Sequence, residues 1–356
     1  MKKKPLNELD FFKLLDQYIK EGRKGKRLQK NGKKLRNSSI DSYANLRQLL
    51  WNFSVQKNYS LRFRKVALLK KRELAVEKRY WQTFYLRFTN YLYEDLNCFD
   101  NYVGICIKRL RVFFNYVNQE KEMGIGSYHK FFYCYREEIE IVTLLPEQLN
   151  FLIYDKVFEN SLSLKMKITK DLFVFGCTVA LRISDIFNLK RENLETINNK
   201  VYLKVISQKT RTMTRVLLPQ YAVNIIDKYY PRSNRLFPKV SKARFNINIK
   251  NLIAKAGWND SRQKVRHKRG VPIIISKEIG TKKNYRFCDL ITSHTMRRTA
   301  ITTMLCLGMP ENAVRKISGH APGSNEFYRY VQLSQKYMDS EIELIHEKLE
   351  ERRLVG

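Results

Sequence analysis

The chain has 356 residues, enough for two or three domains, and its 44% hydrophobic and 12% aromatic content is sufficient for real cores, which excludes a disordered chain. Sixty-eight Lys and Arg against 34 Asp and Glu leave a net charge of +34, too large an excess for a protein whose partner is a cation or a neutral small molecule. A polyanion is the expected partner.

No membrane partner is expected. The longest uncharged run, Thr299 to Pro310, has 12 residues, short of the roughly 18 to 20 that a spanning helix requires. The start, Met1 to Pro5, is basic but continues into Leu6-Asn7-Glu8-Leu9-Asp10, without the apolar core and cleavage site of a secretory signal, so a cytosolic address is expected. Cys98, Cys106, Cys134, Cys177, Cys288 and Cys306 are scattered, with no C-x-x-C and no nearby His pair. This argues against zinc and against a disulfide framework, and reads as six reduced, mostly buried thiols.

Leu9, Phe12, Leu15 and Ile19 recur at helical spacing and predict a short opening helix. Lys20 to Arg36 then holds nine basic residues and one Glu, interrupted by Gly22, Gly25 and Gly32. It reads as a flexible positive connector, either a solvated linker or an arm that contacts phosphates by counterion release. From Asn37-Ser38-Ser39 a capped helix carries Ile40, Tyr43, Leu46, Leu50 and Phe53 along one face. Trp81, Phe84, Phe88 and Leu92, and then Val103, Ile107, Leu110, Phe114 and Val117, repeat the pattern, while Lys108, Arg109 and Arg111 point elsewhere. These stripes are core, and the basic faces opposite them suit a duplex backbone.

The predicted organisation is thus a basic segment over 1–36, a helical domain over 37–130 and a second domain over 138–356. In the latter, Leu145-Pro146-Glu147 starts a helix, and a longer one runs through Asp171 to Cys177 toward Leu181-Arg182-Ile183-Ser184-Asp185. Val201 to Ile206 and Arg215 to Leu218 are β-rich and flank a hairpin tip at Ser207 to Thr214. The basic strip Arg262 to Arg269 precedes a further strand, Val271 to Ile275, and helices resume near His294. The fold class expected is mainly α with a small β-hairpin sheet, an α+β domain beside a helical one.

Four separated segments carry residues that are costly to bury without a reason: Arg182 in an apolar run, Lys209 at the hairpin tip, His294-Thr295-Met296-Arg297, and Gly319-His320 followed by Phe327-Tyr328-Arg329-Tyr330. Each alone is an ordinary occurrence, but their order is not. Through Leu181 to Ile186, Gln208-Lys209-Thr210, Ser293 to Arg298, Ser318-Gly319-His320 and Tyr330-Val331, the chain resembles the tyrosine recombinase (phage integrase) family over roughly residues 138 to 335. The resemblance implies an Arg, Lys, His, Arg, His and Tyr active site, carried here by Arg182, Lys209, His294, Arg297, His320 and Tyr330. The helical part resembles that family's core-binding domain in layout. The family spacing puts the nucleophile nine residues after the second motif His, where this chain has Arg329, and a one-residue insertion in Ala321 to Asn325 returns Tyr330 to register in preference to Tyr328.

The chemistry agrees with these residue types. Two guanidinium groups, Arg182 and Arg297, present charged donor forks to the nonbridging oxygens of a phosphodiester under attack. A phenol is a weak nucleophile at its usual pKa of about 10 and must lose its proton as it attacks. His294 is the candidate acceptor, with His320 holding a phosphate oxygen or the phenol. The departing 5′ oxygen needs a proton, which Lys209, with Lys204 in the strand as the alternative, would supply. No carboxylate cluster for Mg²⁺ and no glycine-rich nucleotide loop is present in these segments, so a cofactor-free reaction is expected, with neither metal nor ATP.

Met338, Ile342, Ile345 and Leu349 predict an amphipathic C-terminal helix, packed on its own domain or docked on a neighbouring protomer. The resemblance implies site-specific recombination of double-stranded DNA by a homotetramer on two DNA sites, at a cytoplasmic, nucleoid-associated address, with room for accessory DNA-bending proteins. A type IB topoisomerase-like relaxing enzyme shares much of the chemistry, and a non-catalytic sequence-specific DNA-binding protein is the reading from another class.

Overall fold

The computed structural model describes residues 8–29, 32–207, 213–229, 234–278 and 280–354, and of 344, 345 and 347–354 the backbone only. Two compact units result, one of residues 1–139 with 265–275, the other of 140–264 with 276–356.

In the first unit, β1 (Glu8–Asp10) leads into α1 (Phe11–Arg23), α2 (Asn37–Gln56), β2 (Arg62–Arg64), α3 (Lys71–Asn90) and α4 (Asp100–Asn115), and β1 pairs antiparallel with β2. The apolar stripes read from the sequence converge. Ile40, Leu46, Leu50, Phe53, Trp81, Phe84, Phe88, Leu92, Val103, Ile107, Leu110, Phe114 and Val117 are all buried in one core. Its packing is aromatic, with Trp81 edge-on to Phe114 at 4.8 Å between ring centroids. Glycine at position 104 of α4 is required by close approach, since a Cβ there would run into the Tyr135 carbonyl.

The composition-based boundary at residue 36 differs from what is observed. Asp10 caps α1 by accepting from Lys13 N at 3.1 Å, and Phe11, Leu14, Leu15, Tyr18 and Ile19 belong to the same core as α2 to α4. The basic connector is anchored as well. Arg27 lies over the Tyr18 and Tyr116 rings, 4.0 and 4.4 Å from their centroids, and donates to Glu120 at 2.9 Å. Ring faces attract a cation that a local charge count assigns to solvent.

After residue 140 the chain forms α5 (Pro146–Tyr154), α6 (Lys156–Ser161), α7 (Leu164–Val179), α8 (Ile183–Ile186), β3 (Leu194–Ile197), β4 (Lys200–Ile206), β5 (Met213–Leu217), α9 (Gln220–Asp227), α10 (Lys242–Lys255), β6 (Ser261–Arg262), β7 (Lys264–Lys268), β8 (Val271–Ile275), β9 (Tyr285–Arg286), α11 (Phe287–Leu290), α12 (Ser293–Cys306), α13 (Glu311–Ser318) and α14 (Asn325–Leu354). Of these, the hairpin β7–β8 departs to the first unit. β3, β4 and β5 form an antiparallel sheet with Lys204 opposite Arg215 and Ile206 opposite Met213. Buried α7 packs against α12, and Gly176 permits the approach because a Cβ there would meet Met296. Among the described residues no helix is long and apolar enough to cross a membrane. Cys106, Cys177 and Cys288 are buried free thiols, and Cys98, Cys134 and Cys306 are half-buried free thiols.

The hairpin is a second departure from the boundaries drawn on composition. Its turn, Arg269-Gly270, has φ of 55° and 80°, the left-handed pair that a two-residue connection favours. Two carboxylates of the first unit receive it. Asp100, fully buried, accepts from Arg269 N at 2.7 Å, Gly270 N at 2.8 Å and the Tyr93 hydroxyl at 2.6 Å. Glu137 accepts from Arg266 Nη2 at 2.6 Å and from His267 N at 2.7 Å. Partners more than a hundred positions away are invisible to a reading of local composition.

Candidate active site

The second unit brings Arg182, Arg297, His320 and Tyr330 together by ending helices beside one another. α7 stops where Ala180 takes a left-handed conformation, φ 54°, and Arg182 follows in extended geometry as the cap of α8. α13 stops at Gly319, φ 64°, and both Gly319 N and His320 N return to the Arg315 carbonyl. A left-handed residue at this position closes the last helical turn and redirects the chain, here placing His320 straight after it.

Arg297, on the first turns of α12, joins these two ends. Its Nη1 donates to the Ala180 carbonyl at 2.7 Å and its Nη2 to the Ser318 carbonyl at 2.5 Å. The same Nη2 lies 3.4 Å from each ring nitrogen of His320, and the Ser318 hydroxyl is 2.8 Å from His320 Nδ1. Burial, and then the neighbouring charge of Arg182, push the Arg297 guanidinium down to about 10, which leaves it charged at neutral pH. Burial, and then the charge of Arg297, push His320 down to about 4. The imidazole is therefore neutral at physiological pH.

Tyr330 sits behind His320, with ring centroids 5.9 Å apart and planes at 60°. It is 2% exposed, in a small core with Ala180, Ala300, Ile301, Leu305, Val314 and Phe327. Burial and the Glu326 carboxylate raise its phenol above 10, against the opposing charges of Arg298 and Arg297. Tyr328 is 48% exposed, its ring 5.4 Å from the Arg315 guanidinium.

His294 opens α12 behind the Thr292 cap and is exposed at the residue level. Partial desolvation of its ring, then the charges of Arg298 and Lys242, lower it below 6.5, while Glu326 opposes. The Arg297, Arg298 and Glu326 charges that act on His294 are the ones that act on Tyr330. Lys204 is exposed on β4 opposite Arg215. Lys209, with Gln208 and Thr210, lies outside the described residues.

Sequence reasoning did not single out Ser207 or Asp185. Arg182 Nη1 donates to Ser207 Oγ at 3.0 Å, and that hydroxyl donates to Asp185 Oδ2 at 3.2 Å. An acid three residues after Arg182, in a chain with so few acids, was the available signal. Nor did it single out Arg315, whose guanidinium lies 4.6 Å from the Phe327 centroid and ties α13 to the start of α14.

A mostly helical scaffold with small sheets is the fold of the tyrosine recombinase class. The pattern of the phage integrase family matches residues 153–336, more than half of the chain, and the chain belongs to that family. It is a tyrosine-type site-specific DNA recombinase.

Its fold is similar to that of the XerH site-specific recombinase in a post-cleavage complex with palindromic difH substrate, at 13% identity and a TM-score of 0.56, covering 94% of this chain and 85% of that one. A lambda integrase dimer bound to a COC′ core site is similar at 10% identity and a TM-score of 0.58, covering 91% and 77%. So is the Tn1549 transposon integrase in complex with transposon right end DNA, at 13% identity and 0.57, covering 91% and 94%. At these identities the likeness is one of fold. No curated protein matches the chain.

Proposed function

We propose that this recombinase cleaves and rejoins double-stranded DNA through a covalent 3′-phosphotyrosine ester formed by Tyr330. The observation that carries the reading is the run from Arg297 through neutral His320 to the Tyr330 ring. Arg182 and Arg297 would hold the nonbridging oxygens, whose charge grows during attack. The Tyr330 oxygen bonds to phosphorus while its proton passes to an imidazole, His294 in the assignment made from the sequence, with His320 holding phosphate or phenol. The phosphorus to 5′-oxygen bond breaks, and Lys209 returns a proton to the leaving oxygen. One ester replaces another of comparable energy, so a different 5′-hydroxyl can reverse the step without ATP or a metal ion.

The +34 charge supports DNA as the polyanion. The partner assembly in this reading is a homotetramer on two DNA sites, with α14 docking on a neighbouring protomer. Ile342, 52% exposed on α14, is an apolar residue available for such docking. Accessory DNA-bending proteins fit the same scheme.

The test uses nicked duplexes that span the ends of the genetic element carrying the gene, incubated with protein in EDTA. The expected product is a protein–DNA adduct that survives boiling detergent, abolished by Tyr330→Phe and retained by Tyr328→Phe. The reverse pattern would overturn the assignment, and no adduct from any site would overturn the mechanism. Site-specific binding with no adduct would favour the non-catalytic reading, and relaxation of supercoiled DNA without strand exchange the topoisomerase-like one.

A further inference from the structure

Ser207 follows β4 directly, two residues ahead of Lys209 in the sequence, and is 5% exposed. Its hydroxyl lies between an arginine that the proposed mechanism uses and a buried acid, Asp185, that it does not. The direction of both bonds is fixed by chemistry. A guanidinium only donates and a carboxylate only accepts, so the single hydroxyl proton goes to Asp185 and an oxygen lone pair faces Arg182.

We propose that Ser207 is a positioning residue for Arg182, acting as a neutral spacer that orients the guanidinium without neutralising it. Asp185 orients the hydroxyl, and the hydroxyl orients Arg182. A direct carboxylate–guanidinium pair would hold the arginine more strongly but would spend its charge on Asp185 rather than on phosphate. Because Ser207 continues β4 toward the hairpin tip, the relay also ties the register of the β4–β5 hairpin to the direction of Arg182.

The proposal rests on Arg182 as a phosphate-binding group, and the experiment separates the two. Ser207→Thr and Ser207→Val have the same shape and differ in the hydroxyl, so they isolate it from packing. Single-turnover cleavage is measured on the nicked duplex and on the same duplex with a neutral methylphosphonate at the scissile position, with gel shift as the binding control. Ser207→Val should cleave the ordinary duplex roughly 10- to 100-fold more slowly, the loss expected for a hydrogen bond to a charged group, and Ser207→Thr within about threefold of the wild type. On methylphosphonate, where there is less oxygen charge to stabilise, the Val deficit should shrink, as should that of Arg182→Ala. In an Arg182→Ala background the Val substitution should add little. Equal rates for Thr and Val, a deficit unchanged on methylphosphonate, or full additivity with Arg182→Ala would each overturn the proposal. Wild-type cleavage by Arg182→Ala itself would instead overturn the role of that arginine.

Discussion

Replacing Glu137 by Gln should loosen the helical unit by about 3 kcal/mol, the lower part of the range for breaking a buried ion pair. The Glu137 side chain has no exposure, and Arg266 is 20% exposed. The carboxylate accepts from Arg266 Nε at 3.0 Å, Arg266 Nη2 at 2.6 Å and His267 N at 2.7 Å. An amide of the same shape keeps one acceptor and turns two donors toward a guanidinium that can only donate. For a unit of this size the loss corresponds to a fall of roughly 6 to 12 °C in Tm. Urea unfolding in a Trp258→Phe background follows this unit alone, because Trp81 is buried in its core and the third tryptophan, Trp51, is also in α2. Burial raises the Glu137 carboxyl, but the hydrogen bonds from Arg266 and His267 N outweigh it and hold it below 4.5. A depressed carboxyl contributes its stability above the unfolded pKa and loses it as pH falls through the folded one. The gap between wild type and variant should therefore be full at pH 7 and close progressively below about pH 4.5. A loss under about 1 kcal/mol at pH 7, or a gap that widens on acidification, would refute the reasoning.

Other outcomes follow from the second unit. His320, at about 4 when folded against 6.5 otherwise, binds its proton more weakly in the native state. Its contribution to stability is complete above pH 6.5 and fades as pH falls toward 4, and His320→Asn should flatten that part of a pH–Tm curve. Gly176→Val should cost about 2 kcal/mol in urea unfolding and slow cleavage, because it separates α7 from Met296 on α12. Arg315→Met should cost about 1 kcal/mol through the lost cation over Phe327, and hydrogen exchange at the first turn of α14 should rise.

Much of the architecture was legible because burial writes itself into the sequence with the period of a helix. Trp81, Phe84, Phe88 and Leu92 recur at three and four and are all buried. Pro146 marks the start of α5 for a local reason, the fixed backbone angle that suits a first turn. What escaped was nonlocal. Arg27 counts as one more solvated charge until Tyr116, 89 positions on, supplies a ring for it. Val271 to Ile275 is readable as a strand, yet nothing near it announces that Asp100 and Glu137 receive its hairpin. In the site, Arg182, His294, Arg297, His320 and Tyr330 were proposed from the resemblance of their motifs, with Tyr330 one position off the family spacing. The Ser207 relay was not, since a hydroxyl between two charges leaves no spacing of its own.

The hairpin sets a limit on how this polypeptide can be divided. A fragment ending at Ile139 would keep Asp100 and Glu137 in their interior places while losing Arg266, His267 N and the amides of Arg269 and Gly270 that answer them. Chimeras that exchange the front portion between relatives must then carry the 265–275 excursion with it. The gene's natural seam is two cuts rather than one, and a lineage that shuffled its front as a single cassette would inherit orphaned acids.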